Sequence, residues 1–255
     1  MRCLDLNCDL GEGAAHDAEL MPLITSANIA CGGHAGNAET MRAAVELALR
    51  HGVAVGAHPG LEDRANFGRR EQSLAPAEVH ALVRRQIDAL NRVARSCGAR
   101  LAHVKPHGAL YNMAARDAAL ARAVAAAVGE ADPRLILFGL AGSELLSAGR
   151  GWGLRIASEV FADRTYQADG SLTPRSRPDA LIADETATLA QVLRLVREGA
   201  VMAVNGARVM VAADTVCVHG DGPHAVEFAR RLRQELGAAG VALQAPGPGC
   251  PGAAR

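Results

Sequence analysis

The chain has few aromatics, no net charge and a single lysine. Aromatic residues make up 3% of its 255 positions, too few for a platform on which nucleic-acid bases or sugars stack. The formal net charge is +0, so no broad basic field recruits nucleic acid, and no nucleic-acid partner is expected. The longest apolar runs, such as Leu135 to Ala141, fall far short of a bilayer span, so no membrane partner is expected either. The strand-like pattern beginning at Cys3 leaves no room for a secretion signal. Six cysteines form no CxxC pair, and Cys3, Cys8, Cys31 and Cys217 lie in apolar runs. They read as buried free thiols in a reducing compartment, which predicts a cytoplasmic protein.

Scarcity also singles out one residue. Of the 27 lysines and arginines, Lys105 is the sole lysine, a compact, titratable amine where arginine stays charged and forked. It sits in His103-Val104-Lys105-Pro106-His107-Gly108, where residues 103, 105 and 107 share one face of an extended strand. Pro106 and Gly108 turn the chain. The flanking Val104 and Pro106 rule out a P-loop, which needs Lys between Gly and Ser or Thr. No strand-to-helix turn carries the GxGxxG dinucleotide fingerprint.

Strand and helix signals alternate along the chain. Leu4, Leu6 and Leu10 alternate with Asp5, Asn7 and Asp9, so the first strand has a polar side with two carboxylates and an amide. Further strands are expected at 26–31, 53–58, 103–107, 134–140, 154–161 and 215–219. Helices are expected from Asn37 to Arg50, Pro76 to Cys97, Asp117 to Val128, after Ser143, from Glu185 to Gly199, and up to Leu236. Asn205-Gly206 marks a hairpin turn. The polar stretch 162–184 reads as a long functional loop. About seven strand–helix units over some 245 residues predict one closed, distorted β/α barrel, with an open doubly wound sheet as the runner-up. Residues 246–255, rich in Pro and Gly, are expected to have no fixed structure.

In such a barrel chemistry gathers at the C-terminal strand ends. Asp9, Glu12, His34, His58, Lys105, His107, Glu159, Asp163, His219 and Asp221 all fall there. Glycine-containing turns after Cys31, Leu140 and His219 precede helices, whose free N–H groups suit phosphate or carboxylate. Asp9, His34 and His58 are also candidate ligands for zinc or manganese, although no short helical spacing links the histidines. Cys31 as a nucleophile is set against a buried structural thiol.

Several strings then resemble one family together. They are Asp5-Leu6-Asn7-Cys8-Asp9-Leu10-Gly11-Glu12-Gly13, Ser26 through Gly36, Gly56-Ala57-His58-Pro59, and Val104 through Asn112. To these belong Gly139 through Ser143, Glu159 through Arg164 with Tyr166, and Val218-His219-Gly220-Asp221. From the N-terminus to about residue 243 the chain resembles the A subunits of bacterial ATP-dependent 5-oxoprolinases. Gly33 stands where an aromatic is expected, and Gly60 where serine is expected. The resemblance implies an α/β fold, a distorted (β/α)7 TIM-like barrel of the glycoside hydrolase/deacetylase type. It further implies hydrolysis of 5-oxo-L-proline to L-glutamate coupled to ATP hydrolysis, with B and C partner subunits and Mg accompanying the ATP. On that basis Asp9, Glu12, His58 and His107 form an acid/base set, with Lys105 on a phosphoryl or carbonyl oxygen. Arg64 or Arg164 would meet a carboxylate, and Asn7, His34, Glu159, Asp163, His219 and Asp221 would line the substrate and phosphate sites. A metal-dependent amide hydrolase or deacetylase acting alone, and a non-catalytic component of a complex, are the rival readings.

Overall fold

The computed structural model describes residues 2–218, 220 and 224–247. Among these, seven parallel strands close a barrel: β1 (Arg2–Leu10), β2 (Ser26–Ala30), β3 (Ala54–His58), β4 (Leu101–Val104), β5 (Ile136–Leu140), β6 (Arg155–Phe161) and, after an antiparallel hairpin, β9 (Thr215–Val218). Pairing of β1 with β9, in the register Asp5↔Thr215 to Cys8↔Val218, shuts the cylinder and excludes the open sheet. A short β10 (Val241–Leu243) lies parallel to the start of β1, at Arg2↔Val241. The hairpin is β7 (Ala200–Met202) with β8 (Arg208–Met210), turned at Asn205-Gly206 as the dipeptide predicted.

Around the barrel lie α1 (Asp17–Leu20), α2 (Ala38–His51), α3 (Pro76–Ser96), α4 (Gly108–Arg116), α5 (Ala118–Ala131), α6 (Glu144–Trp152), α7 (Glu185–Glu198) and α8 (Ala225–Ala238). Helix α2 starts at a reciprocal Asn37–Thr40 capping box and stops at Gly52 in the left-handed region. Helix α4 is an addition to the expected elements. His107 opens it, and Asp117 begins the next helix by capping the N–H groups of Ala119 and Leu120. None of the helices among the described residues is long and apolar enough to cross a membrane.

The two faces of the strands separate apolar from polar. Leu4, Leu6, Cys8 and Leu10 of β1 join Ala27, Ile29 and the helix faces in the main core, outside the cylinder. Within the lumen, Ile136, Phe138 and Ala157 form a small separate apolar cluster. The rest of that interior is mostly polar, with Asp5, Asn7, Ser26, Asn28, His103 and Glu159 all buried. Gly56 makes room for this arrangement, because a Cβ there would collide with the His103 imidazole.

Two expectations are corrected. Cys3, partly exposed at the edge of β1, is disulfide-bonded, whereas Cys8, Cys31 and Cys217 are buried free thiols. Residues 162–184 do not form a structureless loop. Tyr166 and Thr173 are fully buried there, and bridges join Arg164 to Leu181 and Tyr166 to Leu172. Arg164 ties the segment together by donating to the carbonyls of Ala180 and Thr173. The disorder expected at 246–255 falls largely outside the described residues.

Candidate active site

The inward face of β1 presents Asp5, Asn7 and Asp9 at successive heights in the lumen. At the mouth, Lys105 emerges just past β4, its own N–H still bonded to the Ala57 carbonyl of β3. Its ammonium lies 2.8 Å from Glu159 Oε1 and 3.0 Å from Asp9 Oδ1, and also donates to Asn7 Oδ1 (3.1 Å) and Cys217 Sγ (3.0 Å). Burial alone would lower the Lys105 pKa, but Asp9, Cys217 and Glu159 together hold it well above the ordinary value. Three protons directed at four acceptors leave little with which to reach a ligand. Lys105 therefore braces the two carboxylates, although it also borders the cavity described below.

Asp9 is held from every side. Its Oδ1 accepts from Lys105 and, at 2.8 Å, from Asn28 Nδ2; its Oδ2 lies 3.2 Å from His58 Nε2. Burial would raise this carboxyl, yet His58 and Lys105 drive it well below the usual range. Conversely, burial would lower His58, and Asp9 raises it above 6.5. His58 Nδ1 donates to the Lys105 carbonyl at 2.7 Å. His107 Nε2 donates to the Phe67 carbonyl at 2.9 Å, leaving its Nδ1 free to accept, also at 2.9 Å, from His58 Nε2. That assignment matches a charged His58 beside a neutral His107, whose pKa burial and His58 depress. Phe67 supplies its carbonyl from the left-handed region (φ 55°), an uncommon conformation for a bulky residue.

Glu12 stands in front of these groups. Its Oε1 lies 2.9 Å from His34 Nε2, 3.4 Å from His107 Nδ1 and 3.7 Å from His58 Nε2. Burial and the Asp9 charge push its carboxyl up to about 7. His34 stacks on His107 with ring centroids 3.7 Å apart and is lowered by burial to about 3, hence neutral. The ligand-capable atoms of Glu12, His34, His58 and His107 all lie within 4.8 Å of one another. Two imidazoles are oriented by backbone carbonyls through their remote nitrogens, the arrangement that presents the other nitrogen to a metal. Three imidazoles and a carboxylate suit a zinc-like divalent ion.

The cluster opens into a cavity of about 690 Å³. Asp9, Glu12, His58, Lys105 and His107 are on its wall, together with Arg69, Tyr111, Ser143, Arg164 and Thr173. Other expected residues lie elsewhere. His34 sits behind Glu12 rather than on the wall. Asn7 and Glu159 lie beneath Lys105, with Asn7 Nδ2 donating to Glu159 Oε1 at 3.0 Å. Arg64 braces the Gly32–Gly36 turn through the carbonyls of both glycines, away from the cavity. Asp163 is not on the wall among the described residues, and Arg164 Nε and Nη2 are engaged by the Ala180 and Thr173 carbonyls. His219 and Asp221 lie outside the described residues.

Asn28 and Cys217 join the site without having been expected there, although both alternate inward with period two. Asn28 links His103, Asn7 and Asp9. The two unexpected glycines have a local reason. A Cβ at Gly33 would come within 2.6 Å of the Gly60 carbonyl oxygen and 2.7 Å of Gln86 Nε2, and one at Gly60 would strike His34 Nδ1. Gln86 fills that space by pairing with both the N–H and the carbonyl of Gly60.

Comparison with known proteins places this geometry. The LamB/YcsF family matches residues 4–248. The chain is 57% identical to the A subunit of 5-oxoprolinase from Geobacillus kaustophilus, covering 96% of this chain and 98% of that one. It is also 57% identical to the corresponding 5-oxoprolinase chain of Bordetella pertussis, over 95% and 98% of the two chains. The crystal structure of the lactam utilization protein from Thermus thermophilus superposes with a TM-score of 0.90 at 47% identity, covering 96% of this chain and 100% of that one.

Proposed function

The chain belongs to the LamB/YcsF family, and from that premise we propose that it is the A subunit of a 5-oxoprolinase, opening 5-oxo-L-proline to L-glutamate with coupled hydrolysis of ATP. One observation carries the reading. Glu12 stands among three imidazoles at the edge of the cavity, beside a tightly held Asp9–His58 pair. A five-membered lactam resists water because its amide is resonance-stabilised. Transfer of a phosphoryl group to the lactam oxygen makes the ring carbon electrophilic enough for water to add. The C–N bond then breaks, the nitrogen takes a proton, and phosphate departs with a second water.

Each group has a role suited to its surroundings. Glu12, raised to about 7, is matched to accept a proton from water near neutral pH. His58, whose pKa Asp9 raises, is the nearby acid for the departing nitrogen. Lys105, itself anchored by Glu159, keeps Asp9 ionised and in place. ATP with Mg belongs to the assembly with B and C subunits. Glutamate production from 5-oxoproline and ATP, by the chain alone and then with its partner subunits, tests the reading. Absence of glutamate from the complete assembly overturns it.

The imidazole cluster favours a second reading, metal-assisted amide hydrolysis by the chain alone. Glu12, His34, His58 and His107 would hold the ion. Such an ion supplies Lewis acidity and a hydroxide-like nucleophile at neutral pH. Metal analysis of the purified protein, with lactam hydrolysis measured before and after a chelator, separates the two readings. Chelator-sensitive turnover without ATP establishes the second.

A further inference from the structure

Besides Tyr111 of α4, two hydroxyls on the cavity wall have no hydrogen-bond partner: Ser143 at the start of α6, and Thr173 of the 162–184 segment. Both are more than nine-tenths buried, at 7% and 0% exposure. A buried hydroxyl is normally satisfied, because water lost on folding must be replaced. Two such groups from separate elements, around one cavity, indicate a ligand that supplies the missing partners. A third buried hydroxyl on this wall, Tyr111 of α4, lies in the field of Glu159, which with burial holds its proton in place.

Ser143 marks where the charge of that ligand lies. It has the extended backbone of a helix N-cap (ψ 161°), yet its side chain does not cap. Serine at this position ordinarily accepts from an N–H two or three residues on. Here the first-turn N–H groups of α6 keep their positive end unneutralised by the cap. The turn Ala141-Gly142-Ser143 lies on the cavity wall, while Glu144, the acidic residue of the first turn, is exposed and off it. Of the three glycine-containing turns singled out in the sequence, the one after Cys31 is away from the cavity, and most of the one after His219 lies outside the described residues.

We propose that Ser143 and the first turn of α6 bind the carboxylate of the lactam substrate, with the Thr173 hydroxyl completing that wall. The proposal rests on the 5-oxoprolinase reading and deepens it, because it says which end of 5-oxoproline faces β5. The carboxylate then points toward α6, and the reacting amide faces Glu12 and His58 on the opposite wall.

Calorimetric binding to the full chain tests this, with 5-oxo-L-proline, 2-pyrrolidinone (the same ring without a carboxylate) and inorganic phosphate as probes. The wild type should bind 5-oxo-L-proline about tenfold or more tighter than 2-pyrrolidinone, as expected for charge-assisted hydrogen bonds. Ser143→Asp should erase that preference while leaving 2-pyrrolidinone binding unchanged. It should also keep or raise the Tm, because aspartate is a strong N-cap. Ser143→Ala should lose part of the preference, which guards against a folding defect in the aspartate variant. If both variants keep the full preference, the proposal falls and the lactam reading stands. If the wild type binds neither lactam, the lactam reading falls and the proposal with it. Loss of phosphate binding alone in Ser143→Asp assigns the turn to a phosphoryl group and overturns the carboxylate assignment.

Discussion

Asp5 and Asp9 project from the same face of the same strand, one at the floor of the barrel and one at its mouth, and they behave in opposite ways. Asp5 accepts hydrogen bonds from Thr25, Ser26 and Thr215, all neutral hydroxyls. Burial outweighs them and lifts its pKa from 3.8 to about 6. Asp9 is nearly as enclosed, its side chain 15% exposed, but its partners are the Lys105 ammonium and the His58 imidazole, which drive its pKa well below the usual range. Burial sets the cost of a charge, and the charge of the partners decides whether it is carried. The floor is a structural plug, and the mouth is an ion-paired cluster in which Lys105 bridges Asp9 and Glu159 while His58 pairs with Asp9.

The comparison breaks most severely at Lys105. Lys105→Met leaves Asp9 and Glu159 buried without their cation, and should cost about 3–5 kcal/mol in urea unfolding. It should also abolish glutamate formation in the reconstituted complex. Adding Glu159→Gln should recover part of the stability but not the activity. Near-normal stability and turnover in Lys105→Met would show that the mouth is no more charge-dependent than the floor.

Glu12 sharpens the contrast on the side of chemistry. Wild-type kcat/KM should rise with pH through about 7, as Glu12 loses its proton. Glu12→Gln should remove that limb and slow turnover about 10²–10⁴-fold. An unaltered pH profile in the variant assigns the base elsewhere.

At the floor the sign reverses. The unfolded chain releases the Asp5 proton near 3.8 and the folded chain near 6, so this group withdraws stability as pH rises between those values. The full withdrawal is roughly 3 kcal/mol. Asp5→Asn should therefore flatten the fall in stability from pH 4 to 6, read as the difference between variant and wild-type unfolding curves, with activity retained. Asp9 works the other way: its contribution is complete above pH 3.8 and is lost as pH falls toward its depressed pKa. The smallest effect is expected outside the barrel. Arg84→Ala on α3 breaks an i,i+4 pair with Asp88 that is more than one-third exposed, and should change stability by about 0.5 kcal/mol or less.

Much of the fold was legible because its periods are local. Alternation along β1 and the 3.6-residue spacing of α2 and α3 need only neighbouring residues to be seen. Helix α4 was not legible because Pro106 and Gly108 read as a turn, while the chain uses that turn to start a helix. The order of 162–184 was hidden because Arg164 bonds carbonyls, which carry no residue identity. At the site, polar strand ends were visible one by one, but their division of labour was not. The expectation that Lys105 reaches a ligand did not anticipate Glu159, Asn7 and Cys217, which lie 54, 98 and 112 positions away. Nor could sequence mark the Phe67 carbonyl that orients His107.

By itself the sequence determined that strands alternate with helices, that β1 carries carboxylates on one side and leucines on the other, and that the sole lysine stands at a strand end. Those facts depend on local periodicity and on side-chain type. Only the tertiary structure decided which carboxyls and imidazoles are raised or lowered in pKa, and which residues face the cavity. The reason is that burial and Coulomb interaction act through space, between groups that closure of the barrel brings within about 3 Å.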